Sequence, residues 1–281
     1  MTFTLVQTVR KVSRPLSSFL ALTVALSGGA VLVGVSPAQA GRRDEKDKPA
    51  YTIKRVYKAG DVDRYRIGVK IIMESAENPL HMVETMVMKE TIKEASEDGA
   101  AVVASEFEHA TMNLNGMEME ISAMMPKIIM LRDKDGKTEV KTEGGNADAM
   151  GDMKDQIKEM TNFSAVYLPP KQTKVGDSWE VNATGLGPPD AHAKGKGTLV
   201  SVETVKGMKV GKIKVITEMV DEMNNQVHGD TLILIDMATG KTLDLISKLA
   251  GDSPEGKISM EMTQRMIDPN AKEDGSGAFK P

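Results

Sequence analysis

The sequence predicts a mainly β protein: a large antiparallel sheet or half-barrel of roughly a dozen strands, made from two similar halves, with one central amphipathic helix packed against it. Three observations carry that expectation. Apolar side chains alternate with polar ones through most of the chain from Tyr51 to Met266, the period of strands with one buried face. Turn signals of the Asn-Gly and Asp-Gly kind interrupt the alternation. Residues 146–161 alone carry the 3.6-residue period of a helix.

Residues 1–40 read as an export signal. Arg10, Lys11 and Arg14 precede an apolar run from Phe19 to Val35, and Ala38-Gln39-Ala40 is an A-x-A cleavage site. Cleavage after Ala40 is expected, with the mature chain working in the periplasm or outside the cell. No cysteine follows that site for the lipid attachment of bacterial lipoproteins, and no later stretch is apolar enough to span a bilayer. Residues 41–49, rich in charge and without an apolar anchor, are expected to form a disordered linker.

The first β-rich half is expected over 50–145. Tyr65, Ile67, Val69, Ile71 and Met73 make one inward-facing row, and Met82, Met86, Met88 and Ile92 the next. Asp98-Gly99 turns that strand into a third over 103–111. Asn115-Gly116 closes the clearest hairpin, because both residues accept the positive φ of a type I′ turn; it sets Leu114 opposite Met117 and Met112 opposite Met119. Residues 127–131 and 138–142 pair about Asp135-Gly136. The helix follows over 146–161. Met150, Met153, Ile157 and Met160 share its apolar face, Asn146 is its N-cap, and Pro169 and Pro170 keep it from running on. Asp148 and Asp152 fall early and Lys154 and Lys158 late, the order that suits the helix dipole.

The second half is expected over 162–267. Residues 186–196 (LGPPDAHAKGK) read as a Gly/Pro-rich loop. Residues 210–220 alternate, and 231–235 is apolar on both faces, as for a strand covered on each side. Thr239-Gly240 turns that strand into 241–249, and Ile258, Met260, Met262 and Met266 mark the last strand. Residues 268–281 are expected to be a disordered tail. Two matched pairs of segments suggest internal duplication. Lys58-Ala-Gly60-Asp61 corresponds to Lys174-Val-Gly176-Asp177, and residues 129–138 correspond to 233–242, in the same order.

Tyr51, Ile53, Lys54, Tyr57, Gly60 and Asp61 near the mature N-terminus, with Leu168, Pro169, Val175, Gly176, Asp177 and Trp179 at mid-chain, resemble the motifs of a family of exported bacterial β-rich proteins of unknown function. The resemblance covers most of the mature chain and implies no activity. By architecture alone the chain is also similar to the periplasmic lipoprotein carriers, whose curved antiparallel sheet is closed by a helix over an apolar cavity.

Composition narrows the function. The full chain carries a net charge of −4, and its leader holds basic residues only, so the mature surface is more acidic still and unsuited to nucleic acid. With no cysteine, apolar packing must hold the fold. The four histidines lack zinc-protease spacing, there is no Gly-x-Ser-x-Gly elbow, and Asp133-Lys-Asp135-Gly136 places its glycine too early for a calcium loop. His228-Gly-Asp230 reads as a solvated hairpin end. No cofactor is expected, and the protein is expected not to be an enzyme.

The 21 methionines, including the pairs Met86/Met88, Met117/Met119 and Met260/Met262, are first of all core filler where aromatics are scarce. They also suit an adaptable pocket for a lipid-like or other apolar ligand, with Met150, Met153, Ile157 and Met160 as its lid. Two further readings are a structural or protein-interaction module of the envelope with a filled core, and a soft-metal (copper) binder using the Met-x-Met pairs.

Overall fold

A computed structural model describes residues 49–75, 79–133, 138–144, 167–182, 192–220, 226–253 and 256–269. In the first half of the chain the strands are β1 (Ala50–Tyr51), β2 (Val62–Glu74), β3 (Leu80–Ala95), β4 (Ala101–Leu114), β5 (Met117–Glu120), β6 (Lys127–Arg132) and β7 (Thr138–Glu143). In the second they are β8 (Thr173–Lys174), β9 (Ser178–Asn182), β10 (His192–Val205), β11 (Met208–Val220), β12 (Gln226–Asp236), β13 (Thr242–Ser253) and β14 (Gly256–Ile267). Among the described residues, twelve of these form one open antiparallel sheet, ordered β7-β6-β4-β3-β2-β14-β13-β12-β11-β10-β9, with β5 hairpinned onto the end of β4. The other two, β1 and β8, pair with each other.

Both meanders run across the sheet in the same direction, and β14 joins them by pairing with β2 from Lys257 opposite Glu74 to Ile267 opposite Arg64. The two Lys-x-Gly-Asp segments make the same turn. Gly60 N donates to Ile92 O at 2.9 Å and Ile92 N to Asp61 O at 2.9 Å; Gly176 N donates to Leu199 O at 2.8 Å and Leu199 N to Asp177 O at 3.1 Å. Both glycines hold positive φ, +87° and +98°, which a side chain would resist.

Strand alternation divides the sheet into two faces. The inner row Met86, Ile67, Gln264, Leu245, Ile233, Ile213 and Leu199 follows the pairing register from β3 to β10 and is buried. The outer face carries ladders of alternating charge instead. Lys70, Glu261, Lys248 and Asp230 stand in register, with Lys248–Glu261 at 3.5 Å and Asp230 paired to Lys214 at 2.8 Å.

The strap from β1 to β2 shows that the sheet curls. Val56 N donates to Thr239 O at 2.8 Å, and the next residue, Tyr57, has its ring 5.8 Å from the Arg132 guanidinium. Those anchors lie at the β12–β13 turn and on β6, roughly 24 Å apart across a flat sheet. The strap with its Tyr57 side chain and Arg132 bridge them here, and one buried cluster runs from Met86 on β3 to Val181 on β9 and takes in Ile53 of the strap, so the inner face is concave and wrapped around the strap.

Three expectations are corrected or left without support. The helix over 146–161 lies outside the described residues, as do the expected signal and linker as far as residue 48; the only helical turn among the described residues is the 3-10 turn Ser122–Met124. The expected loop over 186–196 is strand from His192 onward, because Gly195 and Gly197 alternate with Lys194 and Lys196. The glycines fall on the inner face, where a Cβ on Gly197 would stand 2.5 Å from Trp179 Cε2. The missing side chain lets the indole lie flat on the sheet. The strand at 231–235 is covered on one side only: Thr231, Ile233 and Ile235 are buried, while Leu232 and Leu234 stay half-buried beside Lys214, Lys212 and Ile246 on the outer face.

Candidate functional site

The concave face is the place where this chain could hold something. Met82, Met86, Met88, Met260 and Met262 lie on it at no more than 3 % exposure, among Ile67, Val69 and Ile71. These methionines are core filler, as expected from the scarcity of aromatics. Tyr167 and Ile53 join the same cluster. The face is not purely apolar. Thr231 Oγ1 and Ser247 Oγ are hydrogen-bonded at 2.8 Å, and Tyr167 bonds Thr231. Burial pushes the Tyr167 phenol well above its ordinary range, against the weaker pull of that hydrogen bond.

At one corner the apolar surface runs out to solvent. The β4–β5 hairpin turns at Asn115 (φ +50°) and Gly116 (φ +89°), and places Met112 opposite Met119 and Leu114 opposite Met117. Met112, Leu114, Met119 and Met125 are half-buried and pack against the core, while Met117 and Met124 are 62 % and 56 % exposed. The hairpin is held from behind. The Ser122 hydroxyl accepts from Ala110 N at 2.6 Å and donates to the Glu120 carboxylate, which it holds below the usual range, and His109 Nδ1 lies 3.3 Å from Glu120 Oε2.

The opposite end is clamped by charge. Asp63, 5 % exposed, accepts from Lys241 Nζ at 2.7 Å and Arg55 Nη2 at 3.1 Å, and Lys241 also reaches Asp61 at 3.2 Å. Arg55 lies 5.0 Å over the Tyr57 ring. Burial works against the Arg55 charge, but Tyr65, Glu90, Tyr57 and Asp63 around it together raise the guanidinium above its ordinary value.

A second concavity, an open cleft of about 700 Å³, lies where the outer ends of β2, β14, β13, β12 and β11 meet. Glu74, Glu218, His228, Asp252 and Lys257 rim it, and Ala250 and Ser259 form part of its lining. His228 is exposed there and Asp230 is paired with Lys214, so the two do not act together. Among the described residues no group of three or more His, Asp or Glu side chains could hold a metal ion.

Of the residues singled out in the sequence, Met150, Met153, Ile157 and Met160 lie outside the described residues. The structure adds Gln264, which the sequence reading passed over, and gives Trp179, named there only within a motif, a place on the inner face. Gln264 is fully buried on the concave face, and neither its amide nitrogen nor its oxygen has a hydrogen-bond partner; Trp179 Nε1 is likewise buried and unpartnered. The signal for Gln264 was there to read. It sits at an inward position of the last strand, between Met262 and Met266.

No family model and no curated protein matches this sequence. Among solved structures, the chain is similar to lipovitellin, in a structure of its lipid-protein interactions, at 11 % identity and a TM-score of 0.48, over 77 % of this chain and 26 % of that one. The protein thus spans about a quarter of the lipovitellin chain. It is similar to a DUF1329 family protein from Desulfovibrio piger (9 % identity, TM-score 0.24, 76 % of this chain and 88 % of that one). It is also similar to the hypothetical lipoprotein YmcC from Escherichia coli (12 % identity, TM-score 0.23, 75 % and 89 %). At these identities and scores the likenesses say nothing of ligand or activity, and the functional reading rests on the concave face itself.

Proposed function

We propose that this is an exported, non-enzymatic envelope protein that carries a lipid-like ligand against the concave face of its curled sheet. One observation supports this above the others: the core extends through the half-buried Met112, Leu114, Met119 and Met125, and next to them Met117, paired with Leu114, and Met124 stand exposed in solvent. A sealed module has no use for two methionines more than half exposed at the rim of its core, whereas an entry lip for an acyl chain needs flexible apolar side chains there. Binding would be driven by burial of apolar area, at about 25 cal/mol per Å². The apolar stripe Met150, Met153, Ile157 and Met160 is the opposite wall this reading expects. The shared turn geometry and parallel course of the two meanders support duplication as the origin of the sheet.

The test is mass spectrometry of organic extracts from natively purified mature protein. An acyl lipid near one equivalent supports the reading; a clean extract, together with failure to take up a fluorescent fatty-acyl probe, overturns it. A second reading is favoured at one place. Met112, Met117 and Met119 share one face of the β4–β5 hairpin, close enough for thioethers to converge on a soft ion. Anaerobic titration with Cu(I) decides it: loss of tight binding in Met117→Leu supports the copper reading, and absence of stoichiometric binding in the native protein ends it.

A further inference from the structure

We propose that Gln264 is the point at which the concave face recognises an uncharged hydrogen-bonding group, such as the ester or amide of an acyl lipid. The inference rests on the lipid-carrier reading and names the class of ligand within it. Gln264 is 0 % exposed, and both polar atoms of its amide are without a partner. An amide left so in an apolar wall keeps its full desolvation penalty, so the position is unfavourable unless something fills it.

The surroundings narrow what that something is. In register, Gln264 faces Ile67 on β2 and Leu245 on β13, with Met262 and Met266 two residues away on its own strand. The nearest hydroxyl on β13, Ser247, is engaged with Thr231. A bridging water needs two to four polar partners, and the facing Ile67, Leu245, Met262 and Met266 offer none. A ligand can bring its own. The amide offers two N–H donors and one carbonyl acceptor side by side. Its N–H groups call for a carbonyl oxygen, and the hydroxyl of a glycerol ester can return a bond to the Gln264 carbonyl. The side chains that face Gln264 across the sheet, Ile67 and Leu245, carry no charge, so an ionised carboxylate or phosphate there would be desolvated without compensation.

The experiment compares two probes on delipidated mature protein: monoolein, which has an ester and hydroxyls, and 1-octadecene, which has a hydrocarbon chain alone. Binding is read by quenching or shift of Trp179 fluorescence, the chain holding one tryptophan. The native protein is expected to prefer monoolein by about tenfold, the worth of one or two hydrogen bonds. Gln264→Met, close in shape and at home among the methionines, is expected to erase the preference, to keep octadecene binding, and to melt higher than the native protein when ligand-free. Gln264→Leu is the second variant and should behave alike. If either folded variant keeps the tenfold preference, the assignment of Gln264 is overturned while the carrier reading stands. If the native protein binds neither probe, the carrier reading falls and takes this inference with it.

Discussion

Replacing Asp63 by alanine should cost more stability than any surface substitution in this protein. Asp63 is 5 % exposed and takes hydrogen bonds from two side chains that are themselves largely covered, Arg55 at 15 % and Lys241 at 18 % exposure. Removing one member of a buried ion cluster typically costs 3–5 kcal/mol, because the remaining charges keep their desolvation penalty and lose their attraction. Here both survivors have something to fall back on. Lys241 retains Asp61 at 3.2 Å, and Arg55 retains the Val56 carbonyl at 3.3 Å and the face of Tyr57. The expected loss is therefore at the lower end, about 3 kcal/mol, which for a chain of this size lowers Tm by roughly 6–12 °C. Urea and thermal unfolding followed by circular dichroism measure it. The triple replacement Arg55→Met, Asp63→Leu, Lys241→Met should lose less than Asp63→Ala alone, since exchanging all the charges for apolar volume leaves none stranded. A loss under about 1 kcal/mol for the alanine variant, or a triple variant less stable than it, would refute the account of the clamp.

Other perturbations separate packing from function. Gly197→Ala should push the indole off the sheet, shift Trp179 emission to the red and cost about 1–3 kcal/mol; unchanged emission would show that the close approach is not real. Met86→Ala, at a fully buried position, should lose about 2–5 kcal/mol. Met117→Ala, 62 % exposed, should change stability by less than about 0.5 kcal/mol and slow uptake of an acyl probe; equal effects of the two on unfolding would contradict the division into core and lip. Asp244 sits on β13 at 4 % exposure, and burial raises its carboxyl to about 8 despite Arg265 at 4.0 Å. A folded-state value above the unfolded one means that the native state binds the extra proton. Stability from this group is full below pH 4 and drains as pH rises towards 8. Asp244→Asn should flatten that decline and stabilise the protein at pH 8 and above; parallel pH profiles for the two proteins would remove Asp244 as its source.

Much of this fold is legible in the sequence because strand alternation and turn chemistry are local. Asn115-Gly116 sets the β4–β5 register unaided, since few other pairs accept two positive φ angles. The inward rows of β2, β3 and β14 follow from period two; Met82, Met86, Met88, Met260 and Met262 in them prove buried, and Met73 and Met266 at the strand ends half-buried. Where the reading failed, a non-local partner decided the outcome. Gly197 looks like a loop residue until Trp179, on a separate strand, is seen to need the space it leaves, and Gly195 until Thr217 and Val181 are seen beside it. Leu232 and Leu234 look like a doubly covered strand until the sheet is seen to have one wet side. The clamp was invisible for the same reason. Asp63 and Lys241 stand 178 residues apart, and nothing in either neighbourhood announces the other.

Strand identity, hairpin register and the inward set of side chains were thus determined by residues acting on their immediate neighbours, through φ preference and alternation. Tertiary structure alone decided that β14 joins the two meanders, that the sheet curls around the strap, and that the Gln264 amide is left without a partner. Those features depend on which distant surfaces meet, and the free energy of such a meeting belongs to neither stretch of sequence by itself.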